Sequence, residues 1–594
     1  METAQRPFFA GEGWRIGFLS NRPGVYQVYL ASQTSAAPEQ LTFAPDGVYE
    51  VRPRPAHAEL LYVTDDAGDE HYRLHLLGLA DNTTKLLTPA HGVVHNLGAW
   101  SADGRLLSYT ANKRHRAYFD LYVLDVEADT EHLVYRHDGM NMPGRFAPDA
   151  SAVIVIRPNL ERAGDNDLYL LAVRPHESPR HLTPHDRRAR WLWPRFQSRD
   201  VVLAVSDEDR EFLGLQRIDL ATGERAFLLA PPWDIEAFAL SADGSMLAVV
   251  VNADGYSRLQ VHRLDATARR LDPLATQAPR NGVIAAPEWR PDAKALTYTF
   301  ESPGQPPTVW SSTPGTPQAG PVLPAADPAL GAGLPEPELV RYPSFDGREI
   351  PAYFYRPPHA VEPLPCLVLV HGGPESQSRP TLWGRYAAPA FLLARGELTL
   401  FVPNVRGSTG YGKAYSHADD RERRMDAVHD LIAAGEWLAA RDTIDPRRIG
   451  VMGGSYGGFM ALAAITEAPD RWAAAVDLFG IANFVTFLEH TGAWRRRQRA
   501  AEYGDDPAFL ASISPLHKAA RIRTPLLVAQ GARDVRVPAE ESEQIVRAVR
   551  ERGGVVEYLC FEREGHGIQK LENRLTLARR VVAFLRRHLI AERP

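Results

Sequence analysis

Cysteine is nearly missing from this chain. Two residues, Cys366 and Cys560, occur among 594, which excludes a disulfide framework or a cysteine-rich metal site and fits a reducing compartment. Long apolar runs are missing too. No window approaches the roughly 18 continuous apolar residues of a membrane-crossing helix, and the opening METAQRPFFAGEGWRIGF lacks the charged start and apolar stretch of a leader. The reading is a soluble, cytoplasmic protein. Blocks of one charge are absent as well: 67 Lys and Arg stand against 73 Asp and Glu, a formal net charge of −6 with both signs interspersed. Nothing electrostatic therefore predicts a nucleic acid or a membrane surface as partner. A small solute or a second copy is expected.

What is present changes character near residue 312, and 594 residues are too many for one core. In the first part a phrase returns in which an apolar or aromatic residue leads a polar turn and an alternating run: VRPRPAHAELLYVT, WSADGRLLSYTA, FAPDASAVIVIR, FQSRDVVLAVS, LSADGSMLAVVV and WRPDAKALTYTF. Its leading residues, Val51, Trp100, Phe146, Phe196, Leu240 and Trp289, recur every 44 to 50 residues. That period signals a repeat architecture. A second alternating run follows in each unit, as in FDLYVLDVEADT and SRLQVHRLDATA. Four short strands per unit, with the opening WRIGFLSNRPGVYQVYLAS as a degenerate first unit, predict a seven-bladed β-propeller over residues 1–312. An open array of hairpins is the alternative, and it would leave strand edges uncovered.

Residues 313–336, rich in Pro, Ala and Gly, read as a linker. From 337 to 594 short apolar runs such as LPCLVLVHGG, LTLFVPNVRG and TPLLVAQGARD end in glycine-bearing loops and alternate with helical stretches. Strands buried on both faces and separated by helices predict a mostly parallel, doubly wound α/β sheet. Within it, GVMGGSYGGF runs strand, turn, helix, and Gly453, Ser455 and Gly457 fill the G-x-S-x-G pattern of an α/β-hydrolase nucleophile elbow. A serine hydroxyl needs a base, and the base an orienting carboxylate. His566, between glycines after an apolar run, and Asp534, in the loop after another, stand in the required order; Asp505 and Asp506 are the other carboxylates in that interval. The backbone N–H of Tyr456 and that of Gly372 or Gly373 are the candidate oxyanion donors.

Taken together, HGGP (371–374), NVRGSTGYG (404–412), GGSYGG (453–458), DVRVP (534–538) and EGHG (564–567) after a propeller resemble the prolyl oligopeptidase family of serine peptidases, nearest its acylaminoacyl-peptidase branch. The resemblance covers nearly the whole chain. It implies hydrolysis of short peptides behind a propeller that rejects folded proteins, with a Ser455, Asp534 and His566 triad, Gly373 and Tyr456 as oxyanion donors, and Arg536 on a substrate carbonyl. It also implies a dimer or tetramer and no metal or organic cofactor.

Specificity is less legible. No Glu-Glu pair that would hold a free amino terminus occurs in residues 1–312, and Glu540 and Glu541 lie at a helix start in the second half. HTGAWRRRQRAAEYGDD places Arg495, Arg496, Arg497 and Arg499 on a helix or lid. One reading makes them a solvated face; another pairs one of them, or Arg536, with a peptide's α-carboxylate, which would make a carboxypeptidase. Phe479, Phe484, Phe487 and Trp494 are either core or the apolar slot for a blocked amino terminus. An esterase on the same core and a non-catalytic propeller scaffold are the readings from other classes.

Overall fold

The computed structural model describes residues 2–11, 15–31, 37–89, 91–174, 177–323, 333–358 and 363–591. It divides into two compact units. One comprises Met1–Asp66, Glu70–Phe300 and Pro307–Ala326; the other comprises Ala67–Asp69, Glu301–Pro306 and Asp327–Pro594.

The first unit is a seven-bladed β-propeller of seven four-stranded antiparallel sheets, each built from consecutive strands. The first strands of neighbouring blades contact one another, which makes them the inner wall. The alternating runs read from sequence become the buried middle strands; Val201–Ser206, for instance, is buried throughout. Seams between blades are apolar, as where Val153 and Val155 of one sheet meet Leu121 and Val123 of the next. Among the described residues no strand is shared between the first and last blades; at that seam Phe9, Ile16, Phe18 and Tyr29 gather around Val309, and the Arg6 amide donates to Thr299 Oγ1 at 2.9 Å.

Two boundaries differ from the sequence reading. The last blade's fourth strand, Ala319–Pro321, falls inside the segment read as linker, because a short edge strand with Pro and Gly has a loop's composition; residues 324–332 of that segment lie outside the described residues. In the second blade the turn-closing hydrogen bond runs from Arg54 N to Glu59 O, where later blades have Ser101 to Leu106 or Ala147 to Ala152. Pro53, not Val51, therefore holds the leading position of that repeat.

The second unit is an α/β-hydrolase fold around one eight-stranded sheet. Across it lie Glu338–Pro343, Glu349–Tyr355, Thr399–Pro403, Leu364–Val370, Ile444–Gly454, Ala474–Leu478, Leu526–Gly531 and Val556–Phe561. The first two pair antiparallel to their neighbours and the rest are parallel. Leu364–Val370 and Leu526–Gly531 are buried at every position, as continuous apolar runs require when helices cover both faces. The helix Tyr456–Glu467 is apolar all round and buried along nearly its whole length. It forms the middle of the core, and its N-terminus meets the C-terminal ends of the parallel strands, where sites in such sheets gather.

Candidate active site

Ser455 ends the strand Ile444–Gly454 and starts the helix Tyr456–Glu467 with φ 60° and ψ −123°. A non-glycine residue in that region is strained, a cost tolerated where surrounding structure enforces it. Packing explains the glycines on either side. A Cβ on Gly453 would lie 2.0 Å from the Gly457 carbonyl oxygen, one on Gly457 2.4 Å from that of Val370, and one on Gly458 2.3 Å from Asp477 Oδ1. Only backbone fits there, so the strand turns into the helix within one residue and holds the hydroxyl at the tip.

His566 and Asp534 arrive from loops after neighbouring strands. His566 Nε2 lies 3.0 Å from Ser455 Oγ, and its Nδ1 lies 2.7 Å from Asp534 Oδ2. The other carboxylate oxygen of Asp534 accepts from the amides of Arg536 at 2.8 Å and Val537 at 2.9 Å. The carboxylate is thus buried and oriented from two sides. Phe479 packs edge-on against the His566 ring, centroids 4.9 Å apart. A hydroxyl held against an imidazole whose far nitrogen meets an oriented carboxylate can give up its proton while it attacks a carbonyl. Asp506 caps the helix Pro507–Ile513 by accepting from Ala508 N at 3.1 Å, and Asp505 lies outside this arrangement.

Beside Ser455 lies a cavity of about 660 Å³ lined by Gly373, His371, Phe487, Tyr503 and His566, and by four arginines: Arg379, Arg495, Arg499 and Arg536. No carboxylate occurs among the described residues that line it. Sequence reasoning identified the arginine stretch without its facing. On the helix Ala493–Tyr503, residues four apart share a face, so Arg495, Arg499 and Tyr503 present one stripe to the cavity. Arg496 and Arg497 lie off that stripe, and Arg496 Nη2 donates to the Glu489 carbonyl. Trp494 is stacked by Arg495, the guanidinium carbon 4.0 Å from the ring centroid, and does not line the cavity. Phe484 is fully buried against Phe459, ring centroids 4.9 Å apart; it belongs to the core, as an apolar residue opening an amphipathic helix commonly does. Glu541 is also structural. Its Oε2 accepts from the amides of Ala482 and Asn483 at 3.1 and 2.7 Å, and burial pushes its carboxyl up to about 7.

Several residues without a role in the sequence reading hold these parts in place. Asn404 clamps the cavity wall, its Oδ1 accepting from Ser378 N at 2.7 Å and its Nδ2 donating to Ser378 O at 3.1 Å. Ser408 Oγ lies 2.8 Å from His371 Nε2, while His371 Nδ1 lies 2.8 Å from the Gly372 carbonyl. The NVRGSTGYG segment therefore buttresses the HGGP turn. Below, fully buried Arg424 pairs with Asp419 and Glu502, donates to the Glu502 carbonyl at 3.1 Å and reaches Tyr456 Oη at 3.3 Å; Tyr456 Oη donates to Asp419 Oδ2 at 3.1 Å. Burial pushes the Asp419 carboxyl up, and the arginine beside it opposes that shift. Glu502 stands on the helix that carries Arg495 and Arg499, so one guanidinium ties that helix to the residue after Ser455.

Residues 385–591 match the family model described as "Prolyl oligopeptidase family". Dipeptidyl aminopeptidase BIII of Pseudoxanthomonas mexicana is 28% identical over 556 residues, which cover 86% of this chain and 76% of that protein. The acylamino-acid-releasing enzyme of Homo sapiens is 29% identical over 264 residues, 43% of this chain and 35% of that one. Among solved structures, a puromycin-hydrolysing peptidase of Mycobacterium tuberculosis superposes with a TM-score of 0.86 at 24% identity, covering 99% of this chain and 95% of that one. The Pyrococcus horikoshii acylaminoacyl peptidase superposes with 0.74 at 16% identity over 100% and 97%.

Proposed function

Through residues 385–591 the chain belongs to the prolyl oligopeptidase family of serine peptidases, and on that premise we propose that it cleaves short oligopeptides through Ser455, His566 and Asp534. His566 takes the Ser455 proton as Oγ attacks the scissile carbonyl, forming the C–O bond of a tetrahedral intermediate. The N–H groups of Tyr456 and Gly373 receive its oxyanion. The C–N bond then breaks as His566 returns the proton to the leaving amine, and water releases the acyl group by the same steps. No step requires a metal or organic cofactor. The observation that carries this reading is His566 bridging Ser455 at 3.0 Å and Asp534 at 2.7 Å. Ser455→Ala is expected to lower kcat about a millionfold; retained hydrolysis would refute it. Retained partner binding with no parent turnover would instead favour a scaffold, and hydrolysis of esters but not peptides an esterase.

Within this reading the enzyme is an exopeptidase of acylaminoacyl-peptidase type acting on small substrates, and a folded protein offered beside a peptide tests the size limit. Arg536 takes a substrate main-chain carbonyl and Phe487 an apolar side chain. The four arginines that line the cavity favour a second reading, a carboxypeptidase in which Arg495 or Arg499 pairs with the free α-carboxylate. One peptide in four forms, with ends free, N-acetylated, C-amidated or both blocked, separates them. Preference for the acetylated form that survives amidation supports the first, and loss of C-terminal trimming on amidation supports the second. Sedimentation tests the accompanying expectation of a dimer or tetramer.

A further inference from the structure

The propeller carries a charge cluster of its own. In blades two to seven the turn after the inner strand closes through one hydrogen bond, from Arg54, Ser101, Ala147, Gln197, Ser241 and Arg290 to a carbonyl four or five residues on. Two residues before each donor stand Arg52, Ala99, Arg145, Arg195, Ala239 and Glu288. One repeat position thus holds three arginines, two alanines and a glutamate.

The long side chains of this ring converge. Arg145, on the fourth blade, has Arg195 of the fifth, Arg52 and Glu50 of the second and Glu288 of the seventh as electrostatic neighbours, and groups from blades so far apart around the ring come within range only at its axis. Gly144 and Pro194 mark the side-by-side placement of two of them, since a Cβ on the glycine would lie 3.5 Å from Pro194 Cγ. Arg145 stands in a register shift between Pro143 and Phe146, and Arg195 is the first paired residue after one that begins at Leu192; such bulges re-aim side chains out of the ladder. Arg52, Arg145 and Arg195 are half-buried and Glu288 is exposed, as side chains lining an axial channel are.

The charge is incompletely matched. Arg52 pairs with Glu50 at 2.6 Å. Among the described residues the Arg145 guanidinium has no hydrogen bond or ion pair, that of Arg195 donates only to the Pro194 carbonyl at 3.0 Å, and neither is directly paired with Glu288. Enclosure and Arg52 lower Arg195 to about 10, and Arg195 is the largest cause of the fall in Arg145. Two guanidiniums are held together against their repulsion.

We propose that Arg145 and Arg195 form an oxyanion-binding site on the axis of the propeller, taking the carboxylate or phosphate group of a ligand. Two planar forks with parallel N–H donors match such a group, and its negative charge relieves their repulsion. The site is independent of the chemistry at Ser455.

The test is calorimetric titration of the full chain carrying Ser455→Ala, at low ionic strength, with inorganic phosphate and separately with N-acetyl-trialanine. To silence the other arginine cluster, the reference also carries Arg495→Gln and Arg499→Gln. At least one probe is expected to bind it, and adding Arg145→Gln and Arg195→Gln to weaken that binding at least about tenfold. Binding of phosphate assigns a free oxyanion as ligand, binding of the tripeptide alone a peptide carboxyl end. Failure of both to bind, or affinity unchanged by the double substitution, overturns the proposal. If the double variant does not fold, Arg145→Gln alone must weaken the same probe.

Discussion

Arg424 and Arg145 are both arginines enclosed by protein, and their surroundings differ in how far the charge is answered. Arg424 meets two carboxylates, a phenol oxygen and a carbonyl, and the tyrosines 456 and 503 lie 5.3 and 4.9 Å from its guanidinium carbon. Arg145 meets another arginine more strongly than any acid. Holding two like charges side by side costs folding free energy, so a protein keeps such a pair where something other than folding uses it. A cation matched by carboxylates marks a structural cluster; a cation set against another cation fits the ligand site proposed for Arg145 and Arg195. The Ser455 cavity joins the two cases, because its helix is anchored at Glu502 while Arg495 and Arg499 of the same helix line the space beside Ser455.

The strongest way to break this comparison is to remove the cation of the charge-matched cluster. Arg424→Met leaves Asp419 and Glu502 buried without it and is expected to cost about 3–5 kcal/mol of unfolding free energy by urea titration. Arg424→Lys, which keeps the charge but not the fork, should recover part of that. A loss in the methionine variant below about 1 kcal/mol would mean the cluster is not structural. Arg499→Gln should act differently, raising KM for peptides with a free carboxyl end about 10- to 100-fold with kcat little changed. Equal loss on amidated peptides would return Arg499 to a packing role.

A third case sharpens the contrast. Asp477 is a fully buried carboxylate beneath the Ser455 turn, pushed from 3.8 up to about 7 by burial. Because the folded state holds this proton more tightly than the unfolded chain, its contribution to stability is full below about pH 4 and declines as pH rises towards 7. Asp477→Asn removes that slope: its Tm should match the parent near pH 4 and exceed it at pH 8, and parallel melting curves at every pH would exclude the effect. The smallest change is expected for Arg145→Gln. Relief of like-charge repulsion should leave stability unchanged or raise it by up to about 1 kcal/mol, and a loss like that of Arg424→Met would erase the distinction.

The period of the propeller phrases and the continuous apolar runs of the second half made the architecture readable, since repeat length and strand patterning are local properties. Ser455, Asp534 and His566 were legible as candidates because each sits in a short glycine-bearing motif at the end of an apolar strand. The facing of the arginines was not: RRRQR names four, and only the register of Ala493–Tyr503 selects Arg495 and Arg499. The Arg424 cluster was invisible because its partners, Asp419, Tyr456 and Glu502, are brought together by tertiary folding. The axial ring was obscured by two residues, since aligning the second repeat on Val51 puts Arg52 out of step with Arg145 and Arg195.

The propeller's closure also has a mechanical meaning. Among the described residues every ladder hydrogen bond in it lies within a blade made of consecutive strands, so parting the first blade from the last separates the apolar surfaces around Val309 and the Arg6 to Thr299 bond while those sheets stay whole. Under load the ring has a clasp at that seam, one that can open and refasten without unravelling a strand.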